Sequence, residues 1–346
     1  MQSNLEKEIY QQPEILKKLI AEQSPKIEKL AEQIRSYSPR FIIIAARGTS
    51  DHAAVYAKYL FSGINLIPTG LAMPSLHTLY RVSPDLRGGL VIGISQSGQT
   101  PDVRAVMESA QQQDVPTISI TNVKDSPLSA ISDHTILMDV GGEKSVAASK
   151  TFTSQLAAVA MLAAYYSENE QLIADLDLLP GYMQSALEQR PVAKTIAKRF
   201  AMKNHAVIVG RGFNHCTTQE IALKIKELSY MFAQPYSAAD FRHGPIAILE
   251  PGIPVLTIAM RGNTLADMES MIDDIRWTDA DLAIMTNVDW LDHYSNNIIR
   301  MPEEMPDWLS PIACTVPGQL LALHLALEKG LDPDKPRGLN KVTLTY

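Results

Sequence analysis

Short apolar runs, each closed by a glycine or a hydroxyl-rich turn and followed by a stretch with helical spacing, recur along this chain. In the first half the runs are Phe41–Ala45, Leu90–Ile94, Thr117–Thr121 and Thr135–Met138, rich in Ile, Leu and Val. Strands that read as near-continuous apolar runs are those buried on both faces of a parallel sheet. Alternation of strand and helix then requires right-handed crossovers, with helices on both faces of the sheet. Ligands of such sheets sit at the carboxyl ends of the strands.

The pattern is written twice. Arg47-Gly48 recurs as Arg211-Gly212, each after a short apolar run (FIIIAA and AVIVG), and 211 − 47 = 164. Gly98 and Thr100 match Gly262 and Thr264 at the same offset, as Gln155-Leu156 match Gln319-Leu320, while Thr121-Asn122-Val123 match Thr286-Asn287-Val288 one residue later. Matches in one order with a single-residue slip indicate internal duplication. The expected α/β architecture is two tandem doubly wound three-layer (αβα) sandwiches with parallel sheets, over 38–190 and 191–331. An N-terminal helical arm over 1–37, helical from residue 4 and broken near Pro13 and Pro25, precedes them. Glu168–Arg190 reads as a polar helical connection, and 332–346, with Pro333 and Pro336, as a C-terminal tail.

Composition narrows the function classes. A length of 346 residues suits two cores, given roughly 100–200 residues per domain. The chain is 46% hydrophobic, yet none of its apolar runs reaches the roughly 18 residues of a membrane span. Thirty-one basic against thirty-eight acidic residues give a net charge of −7 with no basic block, which argues against a nucleic-acid partner. The first residues lack the apolar core of a secretory signal, so a cytoplasmic protein is expected. Cys216 and Cys314 fit a reducing compartment and are too few for a disulfide framework or, without neighbouring ligands, a metal site.

Candidate chemistry gathers at the turns. Ser95-Gln96-Ser97-Gly98-Gln99-Thr100 lies between an apolar strand and a helical run opening at Pro101-Asp102. Three hydroxyls and several backbone N–H groups at a helix N-terminus suit a phosphate monoester. The plain alternative is that Ser and Thr merely cap the helix. The second copy, MRGNT, keeps Gly262 and Thr264 without the serines, so capping does not require them and the first half is expected to hold the phosphate. Thr49 and Ser50, after Arg47-Gly48, are placed to line the same crevice unless they too are caps, and Ser145–Thr151 is a small-residue loop that either packs on the sheet or faces a ligand. Around Glu220–Met231, Ile221, Ile225, Leu228 and Phe232 form one buried helical stripe, while Glu220, Lys224 and Glu227 share another face. A Glu and Lys four apart are most simply a surface ion pair. His243 stands beside a Gly-Pro turn that can aim an imidazole.

The segments SQSGQT, SVAASKTFTSQL, ALKIKELSY, FRHGP and DKPRGLNKVTLTY, in this order and spacing, resemble the sugar-isomerase portion of glucosamine-6-phosphate synthase, from about Phe41 to Tyr346. The resemblance implies two sugar-isomerase (SIS) domains. By position it implies that Ser95, Gln96, Ser97 and Thr100 hold a phosphate, and that Thr49, Ser50 and the backbone of Val146 face the sugar. Glu227 would shuttle a proton between C1 and C2, and His243, in that family donated by the neighbouring subunit, would open the ring. Lys341 would reach the carbonyl carbon, with Lys224 and Arg337 tuning the charge. A homodimer is implied. That synthase carries an amino-terminal glutaminase domain with a terminal cysteine, whereas here about forty residues precede the first strand and no cysteine stands near Met1.

The expected reaction is therefore that of the isomerase-type glucosamine-6-phosphate deaminases: glucosamine 6-phosphate and water to fructose 6-phosphate and ammonia. It moves protons and adds water, so no metal or redox cofactor is called for. The alternatives are a deglycase acting on a fructosamine 6-phosphate, a galactosamine-6-phosphate deaminase and, in another class, a phosphosugar sensor that binds without turnover.

Overall fold

The structure, a computed structural model, describes residues 2–341. The end of the expected tail, residues 342–346, lies outside the described residues, as does Met1 at the start of the arm. In chain order, α1 (Asn4–Tyr10) and α2 (Gln12–Tyr37) lead into β1 (Phe41–Ala45), α3 (Thr49–Gly63), β2 (Thr69–Leu71), α4 (Pro74–Thr78), β3 (Gly89–Ile94), α5 (Pro101–Gln111), β4 (Thr117–Thr121), α6 (Pro127–Ala130) and β5 (His134–Leu137). After α7 (Lys150–Ser167), α8 (Glu170–Glu188) and α9 (Arg190–Phe200) come β6 (His205–Gly210), α10 (His215–Ser229), β7 (Phe232–Ser237), α11 (Ala238–Arg242), β8 (Pro254–Ala259), α12 (Leu265–Arg276), β9 (Asp281–Thr286), β10 (Ile298–Arg300) and α13 (Ser310–Glu328).

The chain divides into two compact units, and each holds one sheet. The unit made of Glu14–Glu143, Lys150–Asp177 and the tail from Asn340 carries strands in the order β2-β1-β3-β4-β5, every pair parallel. The unit made of the segment up to Pro13, Lys144–Ser149 and Leu178–Leu339 carries β10-β9-β8-β6-β7, again all parallel. These are the two tandem doubly wound three-layer α/β sandwiches that the apolar runs predict. In each sheet the order reverses beside the first strand, between β1 and β3 in one and β6 and β8 in the other, which is where this architecture opens a crevice for ligands.

The duplication extends to single hydrogen bonds. Thr121 Oγ1 accepts from the Val123 amide at 3.3 Å, and Thr286 Oγ1 from the Val288 amide at 3.1 Å. The carbonyls of the same threonines accept from Met138 and Met301, both at 2.9 Å. Arg47, after β1, donates from Nε and Nη2 to Asp102 of α5 at 2.8 and 2.7 Å, and Arg211, after β6, pairs with Asp267 of α12.

The strands lie within a residue of their expected limits in the first half, apart from β2, a three-residue edge strand with no fully buried position and hence no apolar run to reveal it. The helical arm breaks once, at Gln11, with Pro13 in the first turn of α2, where its missing N–H costs nothing. Pro25 does not break α2, correcting the expectation. The buried stripe Leu16, Leu19, Ile20, Ile27, Leu30, Ala31 and Ile34 holds the helix through it. Nor is the connection over 168–190 polar, because α8 buries Leu176, Leu179, Met183 and Ala186. Phe232 does not extend the stripe of α10. That helix stops where Tyr230 turns left-handed (φ +57°), and Phe232 opens β7 with 57% of its surface exposed. A further correction concerns α13, where the helical stretch Asp307–Glu328 contains an 18-residue window with the length and hydropathy of a membrane span, and that window is buried inside the protein.

Within its unit, α13 crosses α10 so closely that a Cβ on Gly318 would collide with the side chain of Ile221. Replacing glycine inside a helix by alanine ordinarily stabilises it by about 1 kcal/mol. Here overpacking, at roughly 1–3 kcal/mol, opposes that gain. Gly318→Ala is expected to lower the urea midpoint, and a raised midpoint would show that Ile221 yields freely.

Candidate active site

In the unit built on the first sheet, all six residues of β3 are buried, and past its carboxyl end the hydroxyl-rich turn comes to partial exposure at Gln96 and Ser97. Ser95 accepts from the Gly98 amide at 3.1 Å, and its hydroxyl lies 3.1 Å from that of Thr100. Thr100 is the N-cap residue of α5, yet its side chain makes no capping bond. Likewise the cap of α3 is Gly48, with Thr49 and Ser50 already in the first turn. Capping therefore does not account for these hydroxyls. The side chains of Gln96 and Ser97 are half-buried, with the Gln96 carbonyl tied to the Asn122 amide at 3.0 Å and the Ser97 hydroxyl accepting from the Gln99 amide at 3.3 Å. Gly98 takes φ +63°, and a Cβ there would strike the Ser126 hydroxyl, so the tightness of the turn requires glycine.

The same unit fixes further polar groups. Ser50 accepts a hydrogen bond from Gln155 of α7 at 2.9 Å. Asp102, 3% exposed, takes Arg47 on one oxygen and the Thr78 hydroxyl on the other at 3.0 Å. Lys341 is held by a residue the sequence reading missed. Its ammonium lies 2.5 Å from Glu143, a carboxylate with no exposed side-chain surface, which also accepts from the amide and hydroxyl of Thr151 at 3.1 and 2.8 Å. The repeat held a clue: Glu143 corresponds at the 164-residue offset to Asp307, a second acid before the last long helix of its half.

The other unit carries Glu220, Lys224 and Glu227 on α10. This is not a surface ion pair, for the side chains of Lys224 and Glu220 are 2% and 0% exposed. Lys224 Nζ lies 3.4 Å from Glu220 and 2.6 Å from Glu227 Oε2, and Glu227, at 21% exposure, is the member of the trio that reaches solvent. Burial alone would push the pKa of the Lys224 ammonium down, but Glu220 and Glu227 outweigh it and the net shift is upward. Arg337 of the tail stacks on Tyr230, 4.6 Å from the ring centre, with its amide donating to the tyrosine hydroxyl at 2.7 Å. Tyr230, three residues past Glu227, was present in the motif ALKIKELSY but carried no assigned role. Val146 sits half-buried in the Lys144–Ser149 loop, and His243 is exposed at the end of α11.

The turn after β8 shows how the halves differ. Ala259 and Arg261 stand where the first half has Ser95 and Ser97, and a Cβ on Gly262 would lie 2.7 Å from a carboxylate oxygen of Asp307. A carboxylate there repels an anion. Burial pushes the Asp307 acid up to about 6, and it pushes the Cys216 thiol up to about 12. Among the described residues, no group of three His, Cys, Asp or Glu side chains is arranged to hold a metal ion.

Two copies of a doubly wound α/β sandwich, with a hydroxyl-lined turn at the switch point of the first, define the class of this protein. The SIS domain profile matches residues 37–165 and 199–329, and the chain belongs to the SIS domain family, with two copies in tandem. It is 37% identical over 341 residues to the glutamine–fructose-6-phosphate aminotransferase [isomerizing] of Pyrococcus horikoshii, covering 97% of this chain and 56% of that protein. Its identity to the protein of that name from Escherichia coli is 32%, with 97% and 58% covered. The chain thus spans less than two thirds of these relatives. The C-terminal domain of glucosamine-fructose-6-phosphate aminotransferase from Francisella tularensis superposes with a TM-score of 0.88 at 28% identity, covering 97% of this chain and 99% of that one.

Lys224→Met would leave Glu220 buried without its cation, a change costing roughly 3–5 kcal/mol. The single variant is expected to show that loss in urea unfolding, and adding Glu220→Gln to recover part of it; equal stability of Lys224→Met and wild type would refute the buried pairing. Because the folded Asp307 acid titrates near 6 rather than 3.8, its ionisation opposes folding, and its contribution falls as pH rises from about 4 to above 6. Asp307→Asn is expected to gain about 2 kcal/mol on wild type between pH 4.5 and 7.5. Parallel stability–pH curves would contradict the shift.

Proposed function

We propose that this chain is a phosphosugar isomerase acting on an amino sugar 6-phosphate, glucosamine 6-phosphate in the first instance, with release of ammonia from C2. The observation that carries the reading is the trio on α10, in which two members are buried and the third, Glu227, reaches solvent with Oε2 fixed by Lys224. A carboxylate pinned on one oxygen is suited to take a proton at one carbon and return it at the next. Support also comes from the hydroxyls of the first switch point, which helix capping does not account for, and from relatives whose names include fructose 6-phosphate, an amino transfer and isomerisation.

In this reading Ser95, Gln96, Ser97 and Thr100 hold the phosphate, Thr49, Ser50 and the Val146 backbone contact the sugar, and His243 of a second copy assists ring opening in a cytoplasmic homodimer. Glu227 removes the C2 proton of the open-chain aldehyde, giving an enolamine, and delivers it to C1, giving a C2 imine. Water adds to the imine carbon and ammonia leaves, forming fructose 6-phosphate. Lys341 stands at the carbonyl carbon, with Lys224 and Arg337 balancing the charge that develops. Hydrogen bonds to a charged phosphate contribute roughly 1.5–3 kcal/mol each, enough for hydroxyls and amides to retain the substrate.

The purified chain with glucosamine 6-phosphate is expected to yield ammonia and fructose 6-phosphate in equal amounts. Glu227→Gln is expected to slow this by roughly 10²–10⁴-fold while fructose 6-phosphate still binds. If Glu227→Gln kept most of the ammonia release, the proton shuttle would be misassigned. Faster release of amine from a fructosyl-amino-acid 6-phosphate would point to a deglycase, and preference for galactosamine 6-phosphate to the other epimer. Binding with neither ammonia release nor proton exchange at C1 would indicate a sensor.

A further inference from the structure

The loop Lys144–Ser149 belongs to the unit of α10 and is fastened at both ends by the N-terminal segment. Glu8 of α1, 4% exposed, accepts from the Lys144 amide, from the Ser145 amide at 3.2 Å and from the Ser145 hydroxyl. That hydroxyl also lies 2.9 Å from the Ala147 carbonyl, so its one proton is shared between Glu8 and the residue that follows Val146. At the far end Gln12 donates to Gln319 at 2.8 Å, and Gln319 donates in turn to the Ser149 carbonyl at 3.2 Å. The segment is itself anchored. Asp334 of the tail accepts from the Asn4 and Leu5 amides at 2.7 and 3.0 Å, and Leu5 and Ile9 are buried.

We propose that Glu8 is a positioning residue for the phosphosugar reaction: with Gln12 it clamps the Lys144–Ser149 loop so that the Val146 backbone is presented to the sugar. The inference rests on the functional reading above, which places that backbone against the substrate. A carboxylate suits the task because it only accepts, and each bond to the loop comes from an N–H or O–H donor. A residue needed for structure alone would lower stability without selecting a kinetic constant, whereas a residue that shapes the sugar's contact surface alters binding ahead of the chemical step.

The test uses the full chain. Glu8→Gln replaces one acceptor oxygen by a donor facing donors, and is expected to raise KM for glucosamine 6-phosphate and the Kd for fructose 6-phosphate, measured by calorimetry, together by about tenfold with kcat within about threefold. Glu6→Gln, which removes the Arg190 ion pair from the same helix, is the structural control and is expected to leave KM and Kd unchanged. Gln12→Leu loosens the other end without burying a charge, so it reads the clamp even if Glu8→Gln fails to fold; about a threefold rise in both constants is expected. The proposal is overturned if Glu8→Gln, or Gln12→Leu in its place, leaves both constants at the wild-type level, or if Glu6→Gln shifts them equally. A wild type that binds fructose 6-phosphate without releasing ammonia would remove the deaminase reading alone, and the Kd comparison would still decide the clamp. A wild type that binds no phosphosugar would overturn both.

Discussion

A parallel sheet covered on both faces leaves polar side chains one place to act, the carboxyl ends of its strands, and that constraint shapes both halves of this chain. β3 and β8 are buried along their whole length, so neither strand can carry a working side chain before its final residue. Each half satisfies the constraint in the same way. An arginine leaves the first strand and is caught by an aspartate in the helix after the third, bridging the switch point, Arg47 to Asp102 in one unit and Arg211 to Asp267 in the other. With the edge braced, the turn beside it can vary without disturbing the sheet.

Charge inside the protein does the positioning. An unpaired buried ion costs several kcal/mol, so each one must find partners, and those partners fix geometry that solvent-exposed groups would not hold. Lys224 is placed by two carboxylates, Glu143 gathers Lys341 and the start of α7, and Glu8 gathers the loop around Val146. In each case one group near the candidate chemistry is restrained by another that solvent does not reach. The free energy spent on desolvation is returned as orientation.

Much of this was legible in the sequence, and for a physical reason. Doubly buried strands admit few residue types, so β1 and β4 could be bounded to the residue, and the 164-residue offset survives because turn glycines and threonine side-chain bonds tolerate little change. Four kinds of feature escaped. Packing overrode local propensity at Pro25, where the apolar stripe of α2 holds the helix together. β2 is too short and too open to write an apolar run. Long-range partners left no local mark: Glu8 and Ser145 are far apart in the chain and meet only on folding, and Glu143 stands nearly two hundred residues before the lysine it holds. The Glu220–Lys224–Glu227 spacing showed a shared face but not whether that face was wet, because helical periodicity sets direction around the axis and burial depends on what packs there.

The corresponding positions show how a duplicated scaffold can divide its labour. Gln155 donates to Ser50 within its own unit, while Gln319, the same position in the copy, links Gln12 to the Ser149 carbonyl. Glu143 is neutralised by Lys341, whereas Asp307, at the matching place, presses on the Gly262 turn with an acid constant raised by burial. A carboxylate beside the Gly262 turn disfavours an anion there, whereas the matching acid of the first half is paired with Lys341, so two turns that follow one backbone plan differ in the charge around them. Asymmetry of this kind needs no change of fold. It follows from swapping the partner of one buried group, and in this chain it accompanies Ala259 and Arg261 where the first half has Ser95 and Ser97.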